Sequence, residues 1–306
     1  MTTPTLVGVF SLIKKLLFAI IRAVMAMLLD GKALSARIRD KIKTRVDALS
    51  SQPGLAVILV GDDPASHTYV NLKKVACQDA GIRFELFLYD VDISEDDIIK
   101  KVRELNSRDD INGILVQLPL PNQNANNIIP EISPLKDVDG FHRENVERLR
   151  RSEPAIASAV ALGVMKLISS ALEHLPKSVE RTATIVSSPL FAEPVKILLT
   201  EQNISTTVVQ AESENLSQST QAADILVVAE GMPGLITEDM VKAGAIVIDV
   251  GTTKVNGKLI GDVNFESVNK KAGALTPVPG GVGPMTVAML LVNILKAQDL
   301  QSAAKG

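Results

Sequence analysis

The sequence predicts an α/β protein: two α/β domains with a cleft between them, the second a Rossmann-like parallel sheet. Three observations predict it. Apolar runs of strand length alternate with amphipathic stretches of helix length from residue 55 onward. Gly- and Pro-containing turns punctuate them, as in Gly61-Asp62-Asp63-Pro64. The series of strands breaks between Asp139 and Ala183, where a charged segment, Arg143 to Glu153, precedes a long helix, Ser158 to Glu173. Alternation of this kind builds parallel sheets, because two parallel strands need a long crossover, most often a helix.

Taken in order, the strands are Leu55–Val60, Phe84–Tyr89, Gly113–Leu118, Ala183–Ser187, Thr206–Gln210, Ile225–Ala229 and Ala245–Val250. The first is followed by a helix carrying Ser66, Tyr69 and Lys73, which at i, i+3 and i+7 share one face. The next helix is Ser94–Asn106, where Ser94 and Asp97 form a capping pair. Glu193–Gln202 is amphipathic, and Pro284–Gln298 is strongly apolar and follows a Gly/Pro loop, so it folds back on the first domain. The expected division is an extension at 1–27, a first domain at 28–150 completed by the helix at 284–300, and a second domain at 151–283.

Composition excludes several classes of function. The chain has 306 residues, enough for two cores, and a net charge of −3, which gives no basic field for nucleic acid. Aromatics make up 3% and Trp is absent, which argues against base-stacking platforms. The single Cys77 rules out an internal disulfide, fits a reducing compartment such as the cytoplasm, and reads as a small core residue. His67, His142 and His174 are scattered, and no Cys/His cluster has metal-ligand spacing, so no metal is expected.

Leu6 to Leu29 is apolar apart from Ser11, Lys14, Lys15 and Arg22. The charges interrupt any run long enough for stable insertion in a bilayer. Three readings stay open: an upstream start or dispensable extension before Met25 or Met27, a targeting leader, and an interfacial helix.

Four segments carry chemistry. A lysine beside a tyrosine at the open end of a parallel sheet suits proton transfer, since burial lowers an ammonium pKa. Gly113 to Leu118 runs into Pro119 and Pro121, which stop the strand and leave Gln117 at its carboxyl end, where ligands bind in such sheets. Asp137-Val138-Asp139-Gly140 is a compact acidic turn, and Thr276 to Thr286 is a Pro/Gly loop that allows close backbone approach.

Together with Asp30-Gly31-Lys32, Pro53 to Ala56, Lys136 to Phe141, Asp249-Val250-Gly251 and Gly261-Asp262-Val263, these segments resemble the bifunctional methylenetetrahydrofolate dehydrogenase/methenyltetrahydrofolate cyclohydrolase family. The blocks run in the family's order and cover nearly everything after residue 28. The resemblance implies a tetrahydrofolate substrate and hydrolysis of 5,10-methenyltetrahydrofolate to 10-formyltetrahydrofolate. Its second implied activity is NADP-dependent oxidation of 5,10-methylenetetrahydrofolate. Lys73 would be the general acid/base, Gln117 would hold it, Asp139 would accept hydrogen bonds from the pterin and Tyr69 would stack on it. Val116, Leu118, Pro277, Gly280 and Gly281 would line the folate site. The family pattern also implies a homodimer joined through the second domain.

The second domain departs from that pattern. The family's Gly-x-Ser-x-x-Val-Gly-x-Pro loop is here Val186-Ser187-Ser188-Pro189-Leu190-Phe191-Ala192-Glu193-Pro194, with both glycines replaced. A Cβ at Val186 or Ala192 is expected to crowd a phosphate, and Glu193 to repel it. After the next strand Gln210-Ala211-Glu212-Ser213-Glu214 stands where cations suit a 2′-phosphate, and Thr252 replaces an Ile beside the nicotinamide. Ser158 to Ala161 keeps nothing of the family's Pro-Cys-Thr-Pro loop. The cofactor positions would be Val186, Ser187, Ser188 and Thr252. These departures predict a cyclohydrolase in which hydride transfer is lost or weakened and NADP disfavoured, or a switch to NAD. Two alternatives remain: a non-catalytic folate-binding relative, and a short-chain dehydrogenase using Tyr69 and Lys73.

Overall fold

The computed structural model describes residues 25–175 and 180–305. The readings of the first 24 residues fall outside the described part. The chain divides into two compact units, one holding residues 31–165 and 283–305, the other 25–30 and 166–282.

The first unit carries a parallel sheet in the order β3 (Arg83–Tyr89), β2 (Gly54–Val60), β4 (Gly113–Val116). All seven residues of β2 are buried, as a central strand covered on both faces requires. Helices α1 (Gly31–Asp47), α2 (Pro64–Asp79) and α3 (Glu95–Ser107) alternate with the strands. Ser94 caps α3 by accepting from the Asp97 amide at 3.1 Å, and its hydroxyl donates to the Asp97 carboxylate. Ile98, Val102 and Leu105, one stripe of α3, pack with Ala56, Ile58, Ile114 and Ile128. After the short α4 (Ala125–Ile128) and α5 (Arg143–Arg150) the chain enters α6 (Ala159–Leu172).

The second unit has six parallel strands in the order β1 (Met27–Leu28), β11 (Ala274–Leu275), β8 (Ile246–Asp249), β7 (Ile225–Ala229), β5 (Thr182–Ser187), β6 (Ser205–Val209). From β5 the chain goes outward to β6 and then crosses back to β7, which creates the strand-order reversal of a Rossmann-type sheet. Between them come α7 (Pro189–Glu201) and α8 (Leu216–Ala222). A hairpin of β9 (Thr253–Val255) and β10 (Lys258–Ile260) follows β8, then the short α9 (Phe265–Val268). The final helix is α10 (Val282–Lys305), whose residues from Gly283 onward belong to the first unit.

Two expected boundaries move. Residues 26 and 27 of the expected extension, and 28–30 of the expected first domain, fall in the second unit: the Ala26, Met27 and Leu29 amides donate to the Asn269, Gly273 and Leu275 carbonyls. The division falls at 165/166 rather than 150, because hydrogen bonds hold the intervening stretch to the first unit. The Ile156 amide donates to Asn145 and the Ala159 amide to the Asp139 carbonyl at 3.1 Å. Helix α7 also begins four residues before the expected Glu193. Ser188 is its N-cap and Pro189 its first residue, where a missing N–H costs nothing.

Candidate active site

The local sequence starts α2 firmly. Asp63 is its N-cap, accepting from both the amide and hydroxyl of Ser66 at 2.8 Å, and Pro64 occupies the first position. That register turns Ser66, Val70, Lys73, Ala76 and Cys77 inward. Lys73 therefore sits on the buried stripe with 8% of its surface exposed, while Tyr69 beside it is half-buried. Its Nζ donates to Gln117 Oε1 at 2.9 Å. Burial pushes the Lys73 ammonium below its ordinary range, and the Asp139 carboxylate draws it part of the way back. Cys77, one turn further on, is a packing group: burial pushes its thiol up to about 12.

Gln117 follows β4 directly. Its amide donates to the Ile58 carbonyl at 2.9 Å, continuing the ladder, and its Nε2 donates to the Leu118 carbonyl at 2.6 Å. The side-chain oxygen is thereby turned toward Lys73. Val116 is buried, and Gln117 and Leu118 are partly exposed. Strand β4 ends two residues before the expected Leu118 because Pro119 cannot extend it.

Asp139 lies in a turn secured from several sides. The buried Lys136 ammonium donates to the carbonyls of Leu105, Asn106 and Arg108, closing the carboxyl end of α3. Asp137 bridges β4 through Ile114, and its carboxylate accepts from the Gly140 and His142 amides at 3.1 and 2.7 Å. Burial raises the Asp137 carboxyl, and the two amides oppose that. Gly140 has φ of +80°, and a Cβ there would lie 2.5 Å from the Ala157–Ser158 peptide, so glycine is required on both counts. Burial pushes the Asp139 carboxyl up and the Lys73 charge pulls it down. Lys73, Gln117 and Asp139, from three separated segments, thus form one electrostatic cluster.

The remaining expected positions belong to the other unit. Pro277, Gly280 and Gly281 form a tight turn in which the Gly281 amide donates to the Pro277 carbonyl at 2.8 Å. Gly280 has φ of +112°. Val186 lies at the carboxyl end of β5. Its side chain is fully buried in the core with Val209, Leu226 and Val228. Ala192 is buried likewise, and Glu193 lies beyond the first turn of α7, which contains no acid. Ser187 Oγ is buried with no hydrogen-bond partner, and Ser188 caps α7 without a side-chain bond. Thr252 is exposed and its hydroxyl lies 3.4 Å from the Val250 carbonyl.

Sequence reasoning missed an acidic pairing in this unit. Glu230, at the end of β7, accepts from the Ala211 amide at 3.2 Å. Burial raises its carboxyl, and the charges of Glu212 and Asp262 add to that. A second missed feature joins the Asp249-Val250-Gly251 and Gly261-Asp262-Val263 blocks. Asp249 accepts from the amides of Gly251, Asp262 and Val263, and Asp262 from those of Glu230 and Gly231. A Cβ at Gly251 would overlap the Asp262 carboxyl, and one at Gly261 the Asp249 carboxyl, which explains both glycines. Burial raises Asp249 to about 7. Among the described residues no group of three or more His, Cys, Asp or Glu side chains gathers as for a metal, and no helix is long and apolar enough to cross a membrane.

Residues 29–139 match the model of the tetrahydrofolate dehydrogenase/cyclohydrolase catalytic domain, and residues 158–302 that of its NAD(P)-binding domain. The chain is 45% identical over 281 residues to the bifunctional protein FolD of Aquifex aeolicus, covering 89% of this chain and 95% of that one. Bordetella avium has a bifunctional protein FolD 44% identical, covering 90% and 98%. The crystal structure of the Campylobacter jejuni bifunctional enzyme superposes with a TM-score of 0.84 at 40% identity, covering 90% and 99%. That of the Trypanosoma brucei dehydrogenase-cyclohydrolase, complexed with NADP cofactor and inhibitor, superposes at 0.85 with 33% identity, covering 91% and 99%.

Proposed function

Because the chain belongs to the tetrahydrofolate dehydrogenase/cyclohydrolase family, an enzyme family of folate one-carbon metabolism, we propose that Lys73, Gln117 and Asp139 carry its hydrolysis of 5,10-methenyltetrahydrofolate to 10-formyltetrahydrofolate. The observation that carries this assignment is the buried Lys73 Nζ, aimed at Gln117 and lowered in pKa by its burial. A neutral amine so formed takes a proton from water as the water oxygen bonds to the methenyl carbon. The resulting ammonium returns a proton to N5 as the carbon–N5 bond breaks and the carbonyl forms. The hydroxyl proton goes to solvent, so one proton is released overall and the lysine is regenerated neutral. General acid–base groups contribute about 10²–10⁴-fold. Tyr69 stacks on the pterin, Val116 and Leu118 flank Gln117, and Asp139 accepts the paired pterin N–H donors, a match suited to a carboxylate.

The family's second activity uses NAD(P), and the residues present favour one end of that cofactor over the other. The open α7 N-terminus, its acid-free first turn and the unpartnered Ser187 hydroxyl fit a pyrophosphate. The 2′-phosphate of NADP does not fit Glu212, Glu214 and Glu230 at the carboxyl ends of β6 and β7, since an acid after the second strand of such a sheet suits a free ribose hydroxyl. Hydride transfer with NADP is accordingly weak. One purified sample tests both parts, by methenyltetrahydrofolate hydrolysis and by methylenetetrahydrofolate oxidation with NADP and NAD. K73A that binds folate but no longer hydrolyses supports the lysine assignment. Robust oxidation at micromolar NADP would sink the cofactor reading.

A further inference from the structure

We propose that Asn293 is the positioning residue that sets the Asp139 carboxylate for folate recognition, an inference that rests on the function proposed above. Asn293 is fully buried in α10, among Met289, Leu290, Ile294 and Ala297, all themselves buried. Its Nδ2 donates to the Val138 carbonyl and to the Ala157 carbonyl, both at 2.8 Å. The Val138 carbonyl belongs to the peptide that leads into Asp139. The Ala157 carbonyl belongs to the peptide against which Gly140 packs. One amide group therefore ties the backbone on the amino side of Asp139 to the segment beneath its carboxyl side. The Ala159 amide completes the frame by donating to the Asp139 carbonyl at 3.1 Å.

The amide satisfies two buried carbonyls and leaves one of its own atoms unpaired. Asn293 Oδ1 is buried with no partner. An orphaned polar atom of this kind costs about 1–3 kcal/mol, and asparagine is a poorer helix former than leucine. A leucine of similar volume would leave two carbonyls unpaired but no stranded amide oxygen. What only the amide supplies is two hydrogens on one nitrogen, directed at the two peptides that bracket Asp139. The carboxylate orientation, which governs how paired donors are met, is thereby fixed by the backbone rather than by its own contacts.

The test is a double-mutant cycle in the full-length enzyme, following methenyltetrahydrofolate hydrolysis. N293L is expected to raise KM about tenfold with kcat nearly unchanged, as displacement of a binding group does. It should add almost nothing when D139A is already present, because Asn293 acts through Asp139. Should N293L not fold, N293S serves, since a hydroxyl has one hydrogen and cannot hold both carbonyls. A folded N293L or N293S with unchanged KM, or one whose KM effect multiplies fully with that of D139A, overturns the proposal. If D139A itself leaves KM unchanged, the folate role of Asp139 fails first and the inference falls with it.

Discussion

Replacing Gln117 with leucine gives a direct reading of how the reactive lysine is tuned. Gln117 Oε1 accepts the 2.9 Å hydrogen bond from Lys73 Nζ, on a side chain only 8% exposed. A hydrogen bond to a charged group is worth about 1.5–3 kcal/mol and one between neutral groups about 0.5–1.5 kcal/mol. Its loss therefore penalises the ammonium over the free amine by about 1–1.5 kcal/mol, which is about one pKa unit. The direction is downward, adding to the lowering that burial already imposes. Hydrolysis requires the free amine, so the ascending limb of the kcat–pH profile should move about one unit toward acid in Q117L. The maximal rate should fall because the amine is no longer aimed. Cys77 does not blur the reading, since burial holds its thiol near 12, and the Asp139 charge that raises Lys73 is present in parent and variant alike. A limb that stays in place, or moves toward alkali, would refute the assignment of Gln117 as the group that supports the lysine charge.

Two further outcomes are expected. K73M should lower hydrolysis by about 10²–10⁴-fold while leaving the thermal midpoint as high as in the parent. In the parent, the unfolded chain holds the Lys73 proton between the lowered folded pKa and the ordinary 10.5, so stability rises with pH across that window, and K73M should lose this rise in calorimetry. D249N concerns the opposite sign. With its folded pKa raised from 3.8 to about 7, Asp249 keeps a proton that the unfolded chain releases, so stability falls as pH rises between those values. D249N should unfold at lower denaturant throughout, having disturbed its bonds to the Gly251, Asp262 and Val263 amides, and should show a flatter pH dependence. Persistence of the full slope in D249N would assign it to another group.

Most of the strands and the helix that carries Lys73 were legible because their signals are local. The stretch Leu55–Val60 is a continuous apolar run, and Ser66, Tyr69 and Lys73 are spaced for one helix face. The short strands were not legible: β1 and β11 are two residues each and pair across most of the chain length, so only tertiary hydrogen bonding defines them. The β9–β10 hairpin did carry a signal, the Asn256-Gly257 turn with both residues at positive φ, but its strands are three residues long and mostly exposed.

The candidate site divides in the same way. Lys73 and Gln117 stood out by type and position, whereas the groups that hold the Asp139 turn are distant from it or from what they bind in sequence. Lys136 closes a helix 30 residues earlier, and Asn293 reaches Val138 across 155 positions. Val186 shows how a position read along the sequence gains its surroundings only in the fold. Read along the sequence, a glycine replaced by valine predicts crowding of a phosphate. In the fold that side chain packs into the core with Leu226 and Val228. On the cofactor reading proposed above, the factor set against NADP is charge, placed by Glu212 and by Glu230, which the Ala211 amide brings beside the same turn. The two causes have different remedies. Restoring glycine at 186 would empty part of a packed core, while neutralising Glu212 and Glu230 would remove the repulsion and leave the core intact. If charge is the cause, the second change and not the first should admit the 2′-phosphate.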